Sequence, residues 1–153
     1  MAVLKAIALD VDGVLTDGGV WGPNGEEWKR FSFADIMGVS LARKAGLIVT
    51  LISGEDSPLV DRFAAKMNLA DITKDCKDKA TALRAFAERN HLALDEICFM
   101  GDDVNDLAAM DLAGLAAAPA DARPAARKKA AIVTEAKAGN GAVRELVDRI
   151  LNS

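Results

Sequence analysis

Short apolar segments alternate along the chain with longer stretches in which apolar residues recur at helical spacing. Five of the apolar segments predict buried strands, at residues 4–9, 46–53, 96–101, 114–119 and 130–134. Helices are predicted at about residues 35–45, 57–68, 78–90, 104–112, 121–129 and 141–151. Strands that alternate with helices form right-handed crossover units. The pattern therefore predicts an α/β, Rossmann-like, mostly parallel sheet with helices on both faces.

One segment interrupts this alternation between the first strand and the first helix. Residues 18–33 read GGVWGPNGEEWKRFSF, in which a Pro-Asn-Gly turn separates two strand-prone halves, so a small β-hairpin insertion is predicted. It carries four aromatic residues of a chain that is only 5% aromatic, namely Trp21, Trp28, Phe31 and Phe33. These side chains either pack on their own domain or form an exposed apolar surface between subunits, and we favour the interface.

Composition narrows the class of protein. The length of 153 residues predicts one globular domain over residues 1–153. A net charge of −4 argues against a nucleic-acid-binding protein, which needs a basic face. Cys76 and Cys98 form no zinc or disulfide pattern, and no run of 18 apolar residues occurs. Because the first strand begins at residue 4, we expect a cytoplasmic protein that binds neither nucleic acid nor membrane.

Side chains that can carry chemistry follow successive predicted strands or begin the next helix. They are Asp10 and Asp12 in DVDGVLT, Ser53 in ISGE, Lys79 in CKDKATAL, and Asp102, Asp103 and Asp106 in GDDVND. Ligands of parallel sheets bind at the carboxyl ends of the strands, where these side chains are expected to converge. Each feature alone also fits an ordinary cap, turn or surface residue, so the prediction depends on their joint occurrence.

Carboxylates that meet at this edge indicate a site for a hard divalent cation, and the absence of Cys or His ligands favours Mg²⁺. Asp10 can then attack phosphorus as a nucleophile. Ser53, loop amides and Lys79 can bind the phosphate oxygens on which negative charge accumulates. Asp12 is left to protonate the leaving alcohol and later to deprotonate water. The predicted chemistry is therefore phosphoryl transfer to an aspartate.

Taken together, DVDGVLTDG, ISGE, Lys79 and GDDVND resemble the haloacid dehalogenase superfamily of aspartate-nucleophile phosphatases over nearly the whole chain. The resemblance implies that Asp10 is the nucleophile and Asp12 the general acid and base. It implies Mg²⁺ ligands from the Asp10 carboxylate, the Asp12 backbone carbonyl and the Asp102 carboxylate. Two further carboxylates, Asp103 and Asp106, would orient the metal site and Lys79.

Most members of that superfamily carry a cap domain of many tens of residues, and the segments between the motifs here are too short to form one. The segments TDGGVWGPNGEEWKRF and AGNGAVREL are similar to the capless subfamily, the phosphatases of 3-deoxy-2-keto sugar acids. This resemblance implies a homotetramer in which a neighbouring subunit supplies the missing wall of the active site. The implied partner is a small sugar acid phosphate.

The subfamily contains enzymes for eight-carbon 3-deoxy-manno-octulosonate 8-phosphate and for nine-carbon nonulosonate 9-phosphates. Eight-carbon enzymes usually have Arg after the (T/S)G of the second motif, where this chain has Gly54 and then Glu55. Nine-carbon enzymes resemble the chain there and at Lys66, so the nine-carbon substrate is favoured. Arg144 is expected to bind the sugar carboxylate. Alternatively, Glu55 is an ordinary acid near a helix N-terminus, and Lys66 and Arg144 are solvated helix residues.

Other functions stay open at this point. The alternatives are an eight-carbon sugar acid phosphatase, a broad small-molecule phosphatase, and an inactive scaffold that only tetramerises. A receiver-type phospho-switch also uses a strand-end aspartate, Mg²⁺ and a lysine. It phosphorylates an aspartate after a middle strand, whereas no aspartate directly follows GLIVTLIS here, so this alternative is disfavoured.

Overall fold

A computed structural model describes residues 2–20, 22 and 26–153. Its strands are β1 (Ala6–Leu9), β2 (Ile48–Ile52), β3 (Ile72–Thr73), β4 (Ile97–Met100), β5 (Leu115–Ala118) and β6 (Ile132–Val133). Its α-helices are α1 (Phe33–Lys44), α2 (Pro58–Lys66), α3 (Lys79–Arg89), α4 (Leu107–Leu112), α5 (Pro124–Lys129) and α6 (Ala142–Leu151). Each predicted strand and helix is present to within a few residues. The short strand β3 is an addition that the hydrophobic pattern did not predict.

The six strands are parallel and form one sheet in the order β3-β2-β1-β4-β5-β6. β1 lies at its centre, with Leu9 paired to Leu51 of β2 on one side and to Met100 of β4 on the other. The chain builds the sheet outward from β1 first in one direction and then in the other. The carboxyl end of β1 is thus the switch point at which such sheets bind ligands. The predicted α/β fold class is confirmed.

Two apolar clusters cover the faces of the sheet, and β1 contributes to both. Ile7 and Leu9 belong to the cluster that contains buried residues of α1, α2 and α6. Ala6 and Ala8 belong to the cluster that contains buried residues of α3, α4 and α5. Successive side chains of a strand point to opposite faces, so a strand buried on both faces is apolar throughout. This explains why the strands appear in the sequence as unbroken apolar runs.

The predicted hairpin lies partly outside the described residues, since these omit Trp21 and the turn residues 23–25. At its base, Thr16 and Phe31 form an antiparallel bridge. Phe31 stacks on Phe63 of α2 with the ring centroids 3.4 Å apart, whereas Trp28 and Phe33 are 56% and 77% exposed. Of the aromatic residues in the described part of this segment, one therefore packs on its own chain and two face solvent.

Across the described ranges, no helix combines the length and the apolar character needed to cross a bilayer.

Candidate active site

The loops that follow β1, β2 and β4 enclose a cleft of about 240 Å³ at the carboxyl edge of the sheet. We call it the carboxylate cleft. Its lining comprises Asp10, Asp12, Gly13, Gly18, Gly54, Glu55, Lys79, Asp102, Asp103 and Asn105. Most of the side chains that the sequence singles out therefore meet in one place, although they come from four separate segments of the chain.

The loop after β1 carries both aspartates and turns sharply directly after the second of them. The Asp10 amide donates to the Met100 carbonyl (3.1 Å), and its carboxylate accepts from the Val11 amide (2.7 Å). Gly13 then adopts a φ of +81°, a left-handed conformation that favours glycine. A Cβ atom at Gly13 would lie 1.9 Å from Oδ2 of Asp102. The glycine thus lets the first loop pass directly against the Asp102 carboxylate.

A buried lysine joins two buried carboxylates at the back of the cleft. Nζ of Lys79 lies 2.9 Å from Oδ1 of Asp10 and 2.7 Å from Oδ1 of Asp106. The second oxygen of Asp106 accepts from the amides of Asp102 (2.8 Å) and Asp103 (3.3 Å). Asp106 therefore ties the loop after β4 to Lys79 at the start of α3. The Asp103 carboxylate is engaged locally, because it accepts from the amide of Val104 (2.7 Å).

The donor set fits a hard divalent cation. Carboxylate oxygens of Asp10, Asp102 and Asp106 lie within 4.8 Å of one another. Burial, reinforced by the charge of Asp106, raises the pKa of Asp10 to about 6 in spite of Lys79. Burial, together with the hydrogen bond and charge of Asp10, raises the pKa of Asp102 to about 9. When all three are ionised, these carboxylates carry more negative charge than Lys79 balances, and their oxygens are ligands that Mg²⁺ prefers.

Asp10 and Asp102 are the residues that would hold the ion, because both oxygens of Asp106 are already hydrogen-bonded. The third ligand that the resemblance implies, the backbone carbonyl of Asp12, stays a prediction.

The Asp12 side chain is held by two neighbouring side chains, Lys29 and Thr16. Nζ of Lys29 donates to Oδ2 of Asp12 (2.8 Å), and the Thr16 hydroxyl donates to Oδ1 (3.2 Å). The Lys29 side chain is only 1% exposed, and that of Asp12 is 26% exposed. No sequence signal identifies Lys29, because a lysine in a polar, strand-prone segment is normally interpreted as a surface residue.

The loop after β2 lines the cleft with Gly54 and Glu55, whereas Ser53 is buried. The Ser53 hydroxyl accepts from the Glu55 amide (3.1 Å). The carbonyl of Glu55 accepts from the amide of Asp75 (3.1 Å), and that of Gly54 accepts from Lys77 Nζ (2.6 Å). The phosphate-binding role predicted for Ser53 stays a prediction.

Two predicted substrate-binding residues do not line the carboxylate cleft. Lys66 lines a second cleft of about 670 Å³ between the hairpin segment and α2, with Nζ 5.0 Å from the Phe33 ring centroid. Arg144 lies on α6, where its Nε is 3.2 Å from both carboxylate oxygens of Asp148. The roles of Lys66 and Arg144 in binding substrate stay predictions.

The lining of this second cleft comprises Glu26, Glu27, Trp28, Lys29, Leu59, Arg62, Phe63 and Lys66. Lys29 is part of this lining and contacts Asp12 of the carboxylate cleft. The two clefts therefore meet at the Lys29–Asp12 ion pair.

The parallel sheet, with a buried Asp10–Lys79 pair and clustered carboxylates at its switch point, is the arrangement expected of an α/β hydrolase that uses an aspartate nucleophile. Residues 52–146 match the family model of haloacid dehalogenase-like hydrolases. The 3-deoxy-D-manno-octulosonate 8-phosphate phosphatase KdsC of Salmonella typhi is 35% identical over 149 residues, which cover 97% of this chain and 79% of that protein. The chain belongs to the haloacid dehalogenase-like hydrolase family.

Solved structures agree with this assignment. The 3-deoxy-D-manno-octulosonate 8-phosphate phosphatase of Moraxella catarrhalis, in complex with magnesium, phosphate and KDO, superposes with a TM-score of 0.95 and 33% identity. The superposition covers 97% of this chain and 86% of that one. The cobalt-bound phosphatase of Haemophilus influenzae gives a TM-score of 0.94 at 33% identity, covering 97% and 88% of the two chains. The predicted superfamily and the predicted class of enzyme, a hydrolase, are confirmed.

Proposed function

We propose that the protein hydrolyses 3-deoxy-D-manno-octulosonate 8-phosphate through a phosphoaspartate at Asp10. The enzyme is a phosphomonoester hydrolase, and Mg²⁺ is its cofactor. The observation that carries the proposal is the buried Asp10–Lys79 pair beside Asp102, in a chain whose compared relatives are named for this substrate. These relatives favour the eight-carbon alternative over the nine-carbon substrate predicted from Glu55 and Lys66.

The residues of the carboxylate cleft divide the reaction between them. When bound, Mg²⁺ supplies the positive charge that balances the carboxylates and polarises the phosphoryl group. The Val11 amide and Lys79 hold the Asp10 carboxylate in a fixed orientation for attack on phosphorus. The Lys79 ammonium also stabilises the charge that develops on the phosphoryl oxygens. Asp10 becomes the phosphoaspartate as the sugar alcohol leaves.

Asp12 completes both halves of the reaction. Its carboxyl group gives a proton to the departing sugar oxygen, which would otherwise leave as a poorly stabilised alkoxide. The carboxylate so formed then removes a proton from water, and this water attacks the phosphoaspartate and releases phosphate. Asp12 suits this role because its side chain lies at the cleft and is bound to Lys29 and Thr16.

The proposal includes a cap-free domain whose open site is closed by a neighbouring subunit of a homotetramer. Support comes from exposed apolar side chains on the hairpin segment and α1, where Trp28, Phe33 and Met37 are 56%, 77% and 50% exposed. Exposed apolar surface of this kind is typical of protein interfaces. A cytoplasmic setting is also part of the proposal, and the free thiols of Cys76 and Cys98 agree with it.

A substrate comparison tests the proposal. The purified protein with Mg²⁺ would be assayed on the eight-carbon and nine-carbon sugar acid phosphates and on simple phosphomonoesters such as glucose 6-phosphate. We expect the highest kcat/KM on the eight-carbon substrate. A preference for the nine-carbon substrate would favour the prediction from Glu55 and Lys66, and equal rates would indicate a broad phosphatase. Absence of hydrolysis on every substrate would favour a scaffold.

Replacement of the nucleophile distinguishes this mechanism from contaminating activity. Asp10→Asn should reduce phosphate release by about 10⁴-fold or more, because an amide does not form the acyl phosphate. Its circular dichroism and oligomeric state should stay those of the wild type. Asp111→Asn is the matched control, since this exposed carboxylate on α4 pairs with Lys129 and does not line the cleft. Wild-type turnover by Asp10→Asn would show that Asp10 is not the nucleophile.

A further inference from the structure

Lys29 is buried at a place where a cation is costly unless it is paired. Its side chain is 1% exposed, and its Nζ lies 2.8 Å from Asp12 and 3.8 Å from Oε1 of Glu27. Desolvation of an ammonium group costs several kcal/mol if no partner compensates for it. Two carboxylates, one from the loop after β1 and one from the hairpin segment, compensate here. Asp12 is therefore held by an ion pair with a lysine whose side chain is buried.

The contacts of Asp12 restrict its orientation. Lys29 holds Oδ2 and the Thr16 hydroxyl holds Oδ1, so rotation of the carboxylate would break a hydrogen bond at each oxygen. An open cleft offers little packing to fix a side chain that is 26% exposed. A general acid must lie within hydrogen-bond reach of the oxygen that it protonates, so its orientation has a direct effect on the rate.

Lys29 is held in turn by the start of α2. The Ser57 hydroxyl donates to Oε1 of Glu27, the oxygen that faces Lys29. Ser57 is the N-cap of α2, where its hydroxyl accepts from the Leu59 amide (3.2 Å). A chain of polar contacts thus runs from the helix that lines the second cleft, through Glu27 and Lys29, to Asp12.

We propose that Lys29 is a positioning residue that orients the general acid Asp12 for proton transfer to the leaving group. The proposal rests on the proposed function, in which Asp12 protonates the sugar oxygen. Lys29 acts through Asp12 and does not itself bind the phosphoryl group. Removal of the Lys29 ammonium should therefore lower kcat/KM most for substrates whose leaving group needs a proton.

The test compares leaving groups. Alkyl phosphates such as the sugar acid phosphate need protonation, whereas p-nitrophenyl phosphate releases a stable phenolate without it. The value of kcat/KM reports the steps up to departure of the leaving group, before the phosphoaspartate is hydrolysed. For Lys29→Met, we expect kcat/KM on the alkyl substrate to fall about tenfold or more, a part of the 10²–10⁴-fold contribution of acid catalysis. On p-nitrophenyl phosphate it should stay near the wild-type value.

Two further comparisons isolate the role of Lys29. In an Asp12→Asn background, adding Lys29→Met should leave the ratio of alkyl to aryl rates unchanged, because the group that it positions is gone. Arg30→Met is the matched control, since it removes the neighbouring cation, which binds Gly139 and Asn140 instead. Its alkyl-to-aryl ratio should equal that of the wild type.

Lys29→Arg keeps the charge and covers the case in which Lys29→Met does not fold. We expect its alkyl-to-aryl ratio to lie between those of the wild type and Asp12→Asn. An equal loss on both substrate types, no loss on either, or a full additional loss in the Asp12→Asn background would overturn the positioning role. Failure of the wild type to hydrolyse any phosphomonoester would instead contradict the proposed function, so the two failures are distinguishable.

Discussion

The two clefts that meet at Lys29 are built differently. In the carboxylate cleft, Asp10 and Lys79 are buried and joined by direct ion pairs, and backbone amides fix the carboxylate positions. The second cleft is larger, and Trp28, which lines it, is more than half exposed. The cleft in which the proposed reaction takes place is thus preorganised by strand ends, whereas the lining of the second cleft includes exposed side chains such as Glu26, Trp28 and Arg62. In the proposed function, catalysis and substrate selectivity would therefore depend on two differently built parts of the molecule.

Among the residues of the carboxylate cleft, Lys79 is the one whose substitution should lower stability most, and it should lower activity as well. Lys79→Met leaves Asp10 and Asp106 buried without their cation, and we expect the metal-free protein to lose about 3–5 kcal/mol of unfolding free energy at neutral pH. Hydrolysis should fall about 10²-fold or more, because an electrostatic contact with the phosphoryl group is lost. Urea denaturation in EDTA and phosphate release with Mg²⁺ measure the two effects.

The control for Lys79 lies two residues earlier. The Lys77 side chain is 77% exposed and donates an exposed hydrogen bond to the Gly54 carbonyl, so Lys77→Met should change the unfolding free energy by no more than about 1 kcal/mol. Equal stability losses in the two variants would contradict the view that the carboxylate cleft depends on a buried ion pair.

A comparison of two glycines distinguishes two effects of substitution: a steric clash in the carboxylate cleft and backbone strain. Gly13 and Gly46 both have positive φ, +81° and +95°, so alanine at either position should cost about 1–2 kcal/mol in strain. A Cβ at Gly46 meets nothing within 4 Å, whereas one at Gly13 would displace the Asp102 carboxylate. Only Gly13→Ala should therefore lower Mg²⁺ affinity, by about tenfold or more, as measured by calorimetry. Similar Mg²⁺ affinities in both variants would show that Asp102 tolerates displacement.

The same contrast explains what could be predicted from the sequence. Residues of the carboxylate cleft follow strands or begin a helix, so the hydrophobic pattern alone brings Asp10, Lys79 and Asp102 to one edge. Lys29 could not be found in this way, because its partner Asp12 is 17 residues away and is reached only once the hairpin segment folds across the loop. The strand β3 has two residues, too few to show a hydrophobic period. The positions of Lys66 and Arg144 depend on helix packing, which a local pattern does not predict.

The charge of the carboxylate cleft predicts an unusual dependence of stability on pH. The folded pKa of Asp10 is about 6 and that of Asp102 about 9, both above the ordinary value of 3.8. A carboxyl group with a raised pKa stabilises the fold while protonated, and this contribution is lost as the pH rises through the folded pKa. The metal-free protein should therefore lose stability from about pH 4 upward, on the order of 3 kcal/mol from Asp10 by about pH 6, with the loss from Asp102 continuing to about pH 9.

Mg²⁺ should remove this loss, because it replaces the protons with a fixed positive charge. Melting temperatures measured in EDTA and in Mg²⁺ should therefore diverge as the pH rises. Asp10→Asn provides the control, since in EDTA it should be more stable than the wild type above pH 7. A melting temperature in EDTA that does not fall over this range would contradict the excess of negative charge in the cleft.

The smallest expected effect lies in the second cleft, at Lys66. If the sugar extends from the carboxylate cleft past Lys29, its own carboxylate comes within the field of Lys66, an exposed contact that contributes up to about 1 kcal/mol. Lys66→Met should then raise KM for the sugar acid phosphate by about fivefold and leave KM for glucose 6-phosphate, which lacks a carboxylate, unchanged. Steady-state kinetics on both substrates measure the difference. An equal rise in KM on both substrates would show that Lys66 does not bind the sugar carboxylate.

Arg144→Met sharpens the comparison, because the sequence predicts that Arg144 binds the same carboxylate. Within one chain its guanidinium pairs with Asp148 on α6 and does not line either cleft. We therefore expect KM for the sugar acid phosphate to stay at its wild-type value in this variant. A rise confined to the sugar acid phosphate would instead mean that Arg144 reaches the substrate of a neighbouring subunit. In that case the neighbour's α6, and not the second cleft, would determine recognition of the sugar carboxylate.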